Sequence, residues 1–385
     1  MEIEIGKLIK KAKLIRCGDG EYPVLSMTMH DGLMFQNDRF KKQIASVDQS
    51  QYQVVQRHQL VESFPIDEGV LAVQELTDAG IVSPAYKIWD VDMEKVVPKY
   101  LEFALRAPRS IEYYKSKLRG TTARRRSIPD TEFCAMRIKC PSLDEQKIIV
   151  DTIEKTKRVI NSRNLELDTL DDLIKARFVE MFGDPVINPK GLPMVALGEL
   201  SELITKGASP SWQGFSYTDD SSQTIFVTSE NVREGYIDLS FPKYIEDGFN
   251  EKQKRSVIHK GDFLINIVGA SIGRAAQFNL DCKANMNQAA ALVRVNDSRV
   301  RDKYLLTYLN SDRAQRMYDS MKSDTGRANL SLQDISDLLI LLPNVEQQIE
   351  FETFANQVDK SKVAVQKVLE ETQLLFDSLM QQYFG

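Results

Sequence analysis

The segment from Pro141 to Gly183 returns without a gap 202 positions later, as Pro343 to Gly385. Identities at Pro141/Pro343, Gln146/Gln348, Leu167/Leu369, Leu173/Leu375, Phe182/Phe384 and Gly183/Gly385, with Leu143/Val345 and Asp144/Glu346 as near substitutes, mark a repeated unit. Both copies read as helix. Ser142 or Asn344 stands where an N-cap belongs, acids follow in the first turn where they suit the helix dipole, and each copy closes on Phe-Gly, a stop with glycine just past the last turn.

Within the first copy the apolar positions step by four and three through Ile149, Ile153, Ile160, Leu167, Leu170, Ile174 and Met181, with Thr156, Arg163 and Arg177 in the polar slots. The second steps through Phe351, Phe354, Val358, Val365, Val368, Leu375 and Leu379, with Ser361, Thr372 and Gln382 as exceptions. So narrow a stripe between charged faces is a coiled-coil seam, and it is too polar for a membrane span. The alternative is two unrelated amphipathic helices, each packing on its own domain. At 1.5 Å per residue each helix would run about 60 Å, a rod with something held at each end.

What lies between the rods is also duplicated. HQLVESF parallels HKGDFLI, GIVSPAYKIWDVD parallels NMNQAAALVRVND, and EYPVLSMTMHDG stands against QTIFVTSENVREG. PKYLEFALRAPRSIEYY parallels DKYLLTYLNSDRAQRMY as a single helix, clear near 303–321. Short strands (VLSMTM, TIFVTS, DFLINIV, AALVRV, LLILLP) mixed with helix predict an α+β fold: two mixed α/β globules separated by two long antiparallel coiled-coil helices, with an internal pseudo-two-fold repeat. The expected plan is a first globule at 1–140, a helix at 141–184, a second globule at 185–342 and a helix at 343–385, with PVINPKGLPMVALG as the linker between halves.

Such a length has room for two or three domains with proper cores. No apolar run is long enough to cross a bilayer, and MEIEIGKLIKKAKLIRCGDG lacks an apolar h-region with a cleavage site, so a cytoplasmic protein is expected. Four cysteines without a CxxC pair and three histidines argue against a zinc site or disulfide framework. A net charge of −5 argues against indiscriminate coating of nucleic acid while leaving room for local basic surfaces such as Arg124, Arg125 and Arg126.

Taken together and in this order, TKGASPSW, TSENVREGYID, KGDFLINIVGASIGRAAQF, MNQAAALVRV and the LLPNVEQQ step into the last helix resemble the specificity subunit of Type I restriction-modification systems. The first half matches less closely: it lacks the G-x-T-P-S element that TKGASPSW approximates, while GIVSPAYKIW and IKCPSLDEQKIIV fit. The resemblance implies two target recognition domains, each reading one half of a split double-stranded DNA sequence, and a helical spacer that sets their distance. It also implies modification subunits that methylate adenine with S-adenosylmethionine, and motor-nuclease (restriction) subunits using ATP and magnesium. The chain itself would hold no cofactor, carry no chemistry and touch no membrane.

Base reading needs paired donors and acceptors on loops that can enter a groove, typically Arg or Lys for guanine and Asn or Gln for adenine. In the first domain the candidates are Arg124, Arg125 and Arg126. In the second they are Lys206, Ser209 and Trp212 of the GASPSW loop, Arg327 and Asn329 of the TGRAN loop, and Arg274 beside Gly269 and Gly273. The competing roles are solvated surface and, for Trp212, core packing. An autonomous methyltransferase would need an N-P-P-[YF] or D-P-P-Y pocket, which does not occur. A metal-dependent nuclease has one foothold, Pro129-Asp130 followed by Glu145-Gln146-Lys147, and a protein-binding scaffold is the remaining alternative.

Overall fold

Strands rich in β-branched and aliphatic residues build the same four-stranded antiparallel sheet twice. In the first half Ile9–Lys11, Lys87–Val91, Leu60–Glu62 and Leu71–Val73 lie side by side in that order. In the second half the order is Ser201–Lys206, Ala290–Val295, Phe263–Asn266 and Ala275–Gln277. The aligned segments HQLVESF and HKGDFLI thus take equivalent places. EYPVLSMTMHDG and QTIFVTSENVREG do not: among the described residues Leu25–Thr28 forms a two-stranded sheet with Gly32–Phe35, whereas Thr224–Val227 sits inside a second four-stranded sheet. The computed structural model describes residues 2–29, 32–39, 49–118, 126–184, 187–321 and 329–385. Among them no helix is long and apolar enough to cross a membrane.

Two sequence expectations need correction. The single helix near 303–321 is two, Asp302–Leu309 and Asp312–Met321, matching Pro98–Arg106 and Pro108–Lys117 in the first half. Pro108 breaks the first pair, since a proline nitrogen has no hydrogen to donate and its ring clashes inside a helix. In the second pair Asn310 makes the break: its Oδ1 accepts from the Ala275 amide at 3.0 Å and its Nδ2 donates to the Ala275 carbonyl at 2.9 Å. The end of the expected linker is also a strand, for Met194–Ala196 pairs with Leu339–Leu341 just as Glu2–Glu4 pairs with Arg137–Lys139.

The long helices are Leu143–Phe182 and Val345–Phe384. Ser142 and Glu145 form a reciprocal cap, with the Ser142 amide and hydroxyl donating to Glu145 Oε2 at 2.9 and 2.7 Å, and Asn344 Oδ1 accepts from the Gln347 amide at 2.9 Å. Gly183 ends the first helix at φ +83°, a conformation that favours glycine. The repeated glutamines explain themselves. Gln146 is fully buried, accepts from the Val97 amide at 2.8 Å and donates to the Pro141 carbonyl at 2.9 Å. Gln348 does the same with the Arg301 amide at 2.8 Å and the Pro343 carbonyl at 2.8 Å. Each amide fastens a helix start to the loop before a globular helix. Gln348→Leu leaves those backbone groups buried and unpaired, so we expect a loss of about 2–4 kcal/mol, read from the urea midpoint; a change under about 0.5 kcal/mol contradicts the role.

By compactness the chain forms two units, Met1–Leu165 with Gln366–Gly385, and Glu166–Val365. In the first, Ile153, Met380 and Phe384 share one core with Tyr100, Leu101 and Phe133, and the Phe384 ring lies 5.2 Å from Tyr100. In the second, Phe178, Phe182 and Phe351 pack around Tyr304, with Phe182 5.0 Å from it. Arg177 pairs with Glu350 at 2.7 Å and Asp171 with Lys362, so here the helical segments run antiparallel. Each long helix therefore begins in the core of one unit and ends in the core of the other.

Along the first helix Ile149, Ile153, Ile160, Leu167, Leu170, Ile174 and Met181 are all buried or half-buried. The second helix is partly out of the expected phase. Phe351, Val358, Val365 and Leu379 turn inward and Phe354 is half-buried under the Arg177 guanidinium, but Val368 and Leu375 are 40% and 53% exposed. Ala355, Lys362, Leu369, Phe376 and Tyr383 take the inward places instead. The observed stripe is the first helix's stripe moved by the same 202 residues. Lys362 fits there because its ammonium reaches Asp171 while its stem covers the seam.

Candidate nucleic-acid interface

Three of the second-half candidates gather at one end of the sheet that Ser201–Lys206 begins. Lys206 ends its strand opposite Ala291, Ala291 faces Ile265, and Ile265 faces Ala275, which directly follows Arg274. Asn329 bridges Val268 on the extension of the same strand, and the Leu330 amide donates to the Ile267 carbonyl at 2.9 Å. The GASPSW loop, with Ser209 and Trp212, leaves from Lys206. Residues about 120 apart in sequence are thus brought to neighbouring strand ends by the strand order, which no local signal encodes.

Lys206 and Arg274 are exposed, with no side-chain hydrogen bond or ion pair among the described residues. Trp212 is 89% exposed on a tight turn, which rules out core packing for it. The turn is held by Lys252, whose Nζ donates to the Gln213 carbonyl at 2.8 Å, while Ser209 and Ser211 hydroxyls bond each other at 3.1 Å. At the loop's root a Cβ on Gly207 would lie 1.8 Å from the Met286 carbonyl oxygen. Gly207→Ala must push the loop off the sheet, so we expect at least about 2–3 kcal/mol of destabilisation, visible as a lower melting temperature; an unchanged melting temperature contradicts the close approach.

The first half differs at the equivalent sheet end. Its turn is Phe64–Gly69, and Arg126 reaches into it, donating to Glu68 Oε1 at 2.6 Å and lying 3.0 Å from Asp67 Oδ2. Arg126 is therefore engaged in internal ion pairs. Arg124, Arg125 and Arg327 lie outside the described residues. Beside this turn Glu62, nearly fully buried, accepts from Lys87 Nζ at 2.9 Å and from Trp89 Nε1 at 3.0 Å. Burial pushes its carboxyl above the usual range, and the Lys87 ammonium opposes that. Asp130 accepts from Lys11 at 2.7 Å and pairs with Lys87 at 2.9 Å. Although burial raises its pKa, the hydrogen bonds from the two lysines leave it below the ordinary value. The carboxylates that spell a nuclease pattern thus have other occupations: Asp130 holds two lysines and Glu145 caps a helix.

Sequence reasoning missed Phe241, which is 89% exposed, and Asn231 and Asn266, which are buried in the loops around Arg274. No local signal marks them, since Phe241 lies among other apolar residues, Ile237, Leu239, Tyr244 and Ile245, and nothing in the sequence says which of these faces outward.

An internally duplicated α+β protein with exposed cations at one sheet end that lack a partner among the described residues is the class these features define. Residues 189–372 match the family described as the Type I restriction modification DNA specificity domain. The chain is 24% identical to the Type I restriction enzyme EcoBI specificity subunit of Escherichia coli over 241 residues, 54% of this chain and 48% of that protein. The match thus spans about half the length of the curated relative. Among solved structures, one from a study of assembly and conformational transition of the type I R-M system superposes with a TM-score of 0.59 at 19% identity, covering 100% of this chain and 97% of that one. The Type-I restriction-modification system S subunit from M. genitalium gives 0.55 at 13% identity, covering 100% and 96%. The fold is that of these subunits. The chain is thus similar, over residues 189–372, to the Type I restriction modification DNA specificity domain and, at 24% identity, to one specificity subunit of such a system.

Proposed function

We propose that the chain is the DNA-reading subunit of a Type I restriction-modification complex and has no catalysis of its own. Each globular unit reads one half of a split, asymmetric target in double-stranded DNA, and the long helices act as the spacer. Modification subunits dock on the chain and methylate adenine with S-adenosylmethionine, and motor-nuclease subunits using ATP and magnesium join them. The observation that carries this reading is that the matched specificity domain, 189–372, contains the second sheet with its exposed, unpaired Lys206 and Arg274. Exposed apolar side chains on the long helices, Leu165 at 67%, Val363 at 71% and Leu374 at 70%, support docking of protein partners there. Two similar halves also suit the two-fold relation of duplex DNA.

Methylated adenines mapped by long-read sequencing in a host expressing the chain with its partners should fall in one bipartite motif. Methylation without a motif, or none, contradicts the reading. A variant with four residues inserted near Leu167 should change the spacer between the half-sites, and an unchanged spacer counts against the ruler role. A protein-binding scaffold would show no measurable affinity for DNA even at low salt, whereas a DNA reader binds and loses affinity with a log-log slope near the number of phosphates it contacts.

A further inference from the structure

The second unit contains a concavity of about 470 Å³ walled by three irregular loops, 228–233, 238–243 and 271–274. Such loops ordinarily move, because no ladder of backbone bonds holds them. Here two buried amides do that work. Asn266, fully buried at the end of its strand, donates from Nδ2 to the Ser229 carbonyl at 2.9 Å and the Ser271 hydroxyl at 3.1 Å, and its backbone amide donates to the Arg274 carbonyl at 2.9 Å. Asn231, 8% exposed, accepts on Oδ1 from the Thr228 amide at 2.8 Å and donates to the Asp238 carbonyl at 2.9 Å. The first amide joins the 228–233 loop to the turn carrying Arg274. The second joins it to the turn carrying Phe241.

The charges around this concavity are not alike. Arg233 lies 3.3 Å from Asp238 and Lys243 2.9 Å from Glu230, so both are neutralised. Among the described residues Arg274 has no such partner, and Phe241 stands 89% exposed on the same rim. Asn266 Oδ1 is buried and has no hydrogen-bond partner among the described residues, so this amide is held by what its Nδ2 donates to. A rigid frame that presents one free guanidinium and one bare aromatic ring matches the edge of a base pair. The guanidinium fork donates to an adjacent pair of acceptors, and the ring meets an apolar methyl.

We propose that Arg274 and Phe241 are the base-reading pair of the second unit, taking a guanine edge and the methyl of an adjoining thymine, with Asn266 as the positioning residue. This deepens the DNA reading above and rests on it. The full chain is incubated with a randomised duplex library and the bound sequences are read, for wild type, Arg274→Ala, Phe241→Ala and Asn266→Ala. Wild type is expected to return a bipartite motif; if it returns none, the DNA reading itself falls and this inference with it. Arg274→Ala should relax one guanine position of one half-site and weaken binding to the intact target roughly 10- to 100-fold, with the other half-site unchanged. Phe241→Ala should relax the neighbouring position. Both side chains are exposed, so neither variant tests folding. Asn266→Ala should relax the same guanine position as Arg274→Ala, an outcome that a merely structural role does not produce; loss of the entire half-site overturns its positioning role. A wild-type motif retained by Arg274→Ala overturns the assignment. So does uniform weakening across all sequences with a salt slope shallower by about 1, which marks a phosphate contact.

Discussion

Removing residues 366–385 should unfold the first unit while the second keeps its structure. Met380 and Phe384 are 8% and 5% exposed and sit in one core with Tyr100, Tyr114 and Phe133, with Phe376 and Tyr383 packed against it. Deleting a single buried aromatic ring costs about 3–5 kcal/mol, and a whole domain has only about 5–15 kcal/mol in reserve. Loss of all four side chains exceeds what the first unit can absorb. Hydrogen exchange read by mass spectrometry should show protection lost across residues 2–165 and kept in 187–321. Phe384→Ala is the milder form, expected to cost about 3–5 kcal/mol with the same regional pattern. Full protection of the first unit in the truncated chain would show that its core is complete without the distant helix end, and the interlocked arrangement would be wrong.

Lys87→Met should be strongly destabilising. It leaves the Glu62 carboxylate, 1% exposed, with only the Trp89 indole as donor. Breaking a buried pair by removing one partner costs about 3–5 kcal/mol. The sign of its pH dependence follows from the same geometry. Burial already holds the Glu62 carboxyl above its ordinary value, with Lys87 opposing, so the variant raises it further. An acid whose folded pKa exceeds its unfolded one is most favourable to folding below the unfolded value, and that contribution is lost as pH rises through the folded pKa. The urea midpoint of Lys87→Met should therefore fall further below wild type at about pH 8 than at about pH 5, and Glu62→Gln in the same chain should remove the difference. An equal fall at both pH values would show that Glu62 is not the group left stranded.

Val368 and Leu375 show how far the sequence could be read. Their apolarity at steps of four and three places them in the seam, yet Leu369 and Phe376 face inward. The repeat offset itself contained the right answer, since 167 and 174 advanced by 202 give 369 and 376. Apolarity is a weak guide on a helix that carries exposed apolar side chains as well as buried ones. Arg126 teaches the same of charge: in sequence it is one of three like neighbours, and in space it belongs to Asp67 and Glu68, nearly sixty residues earlier.

The duplication, the two long helices with their caps and their glycine stop, and a few strands such as Thr224–Val227 and Ala290–Val295 were legible in the chain alone, because capping, periodicity and turn chemistry act over a few residues. Strand order, the break at Asn310, the completion of each core by the far end of a helix, and the grouping of Lys206, Arg274 and Asn329 were decided only by the tertiary fold. Those depend on which distant backbone groups and side chains meet, and burial and pairing over such separations leave no local trace in the order of residues.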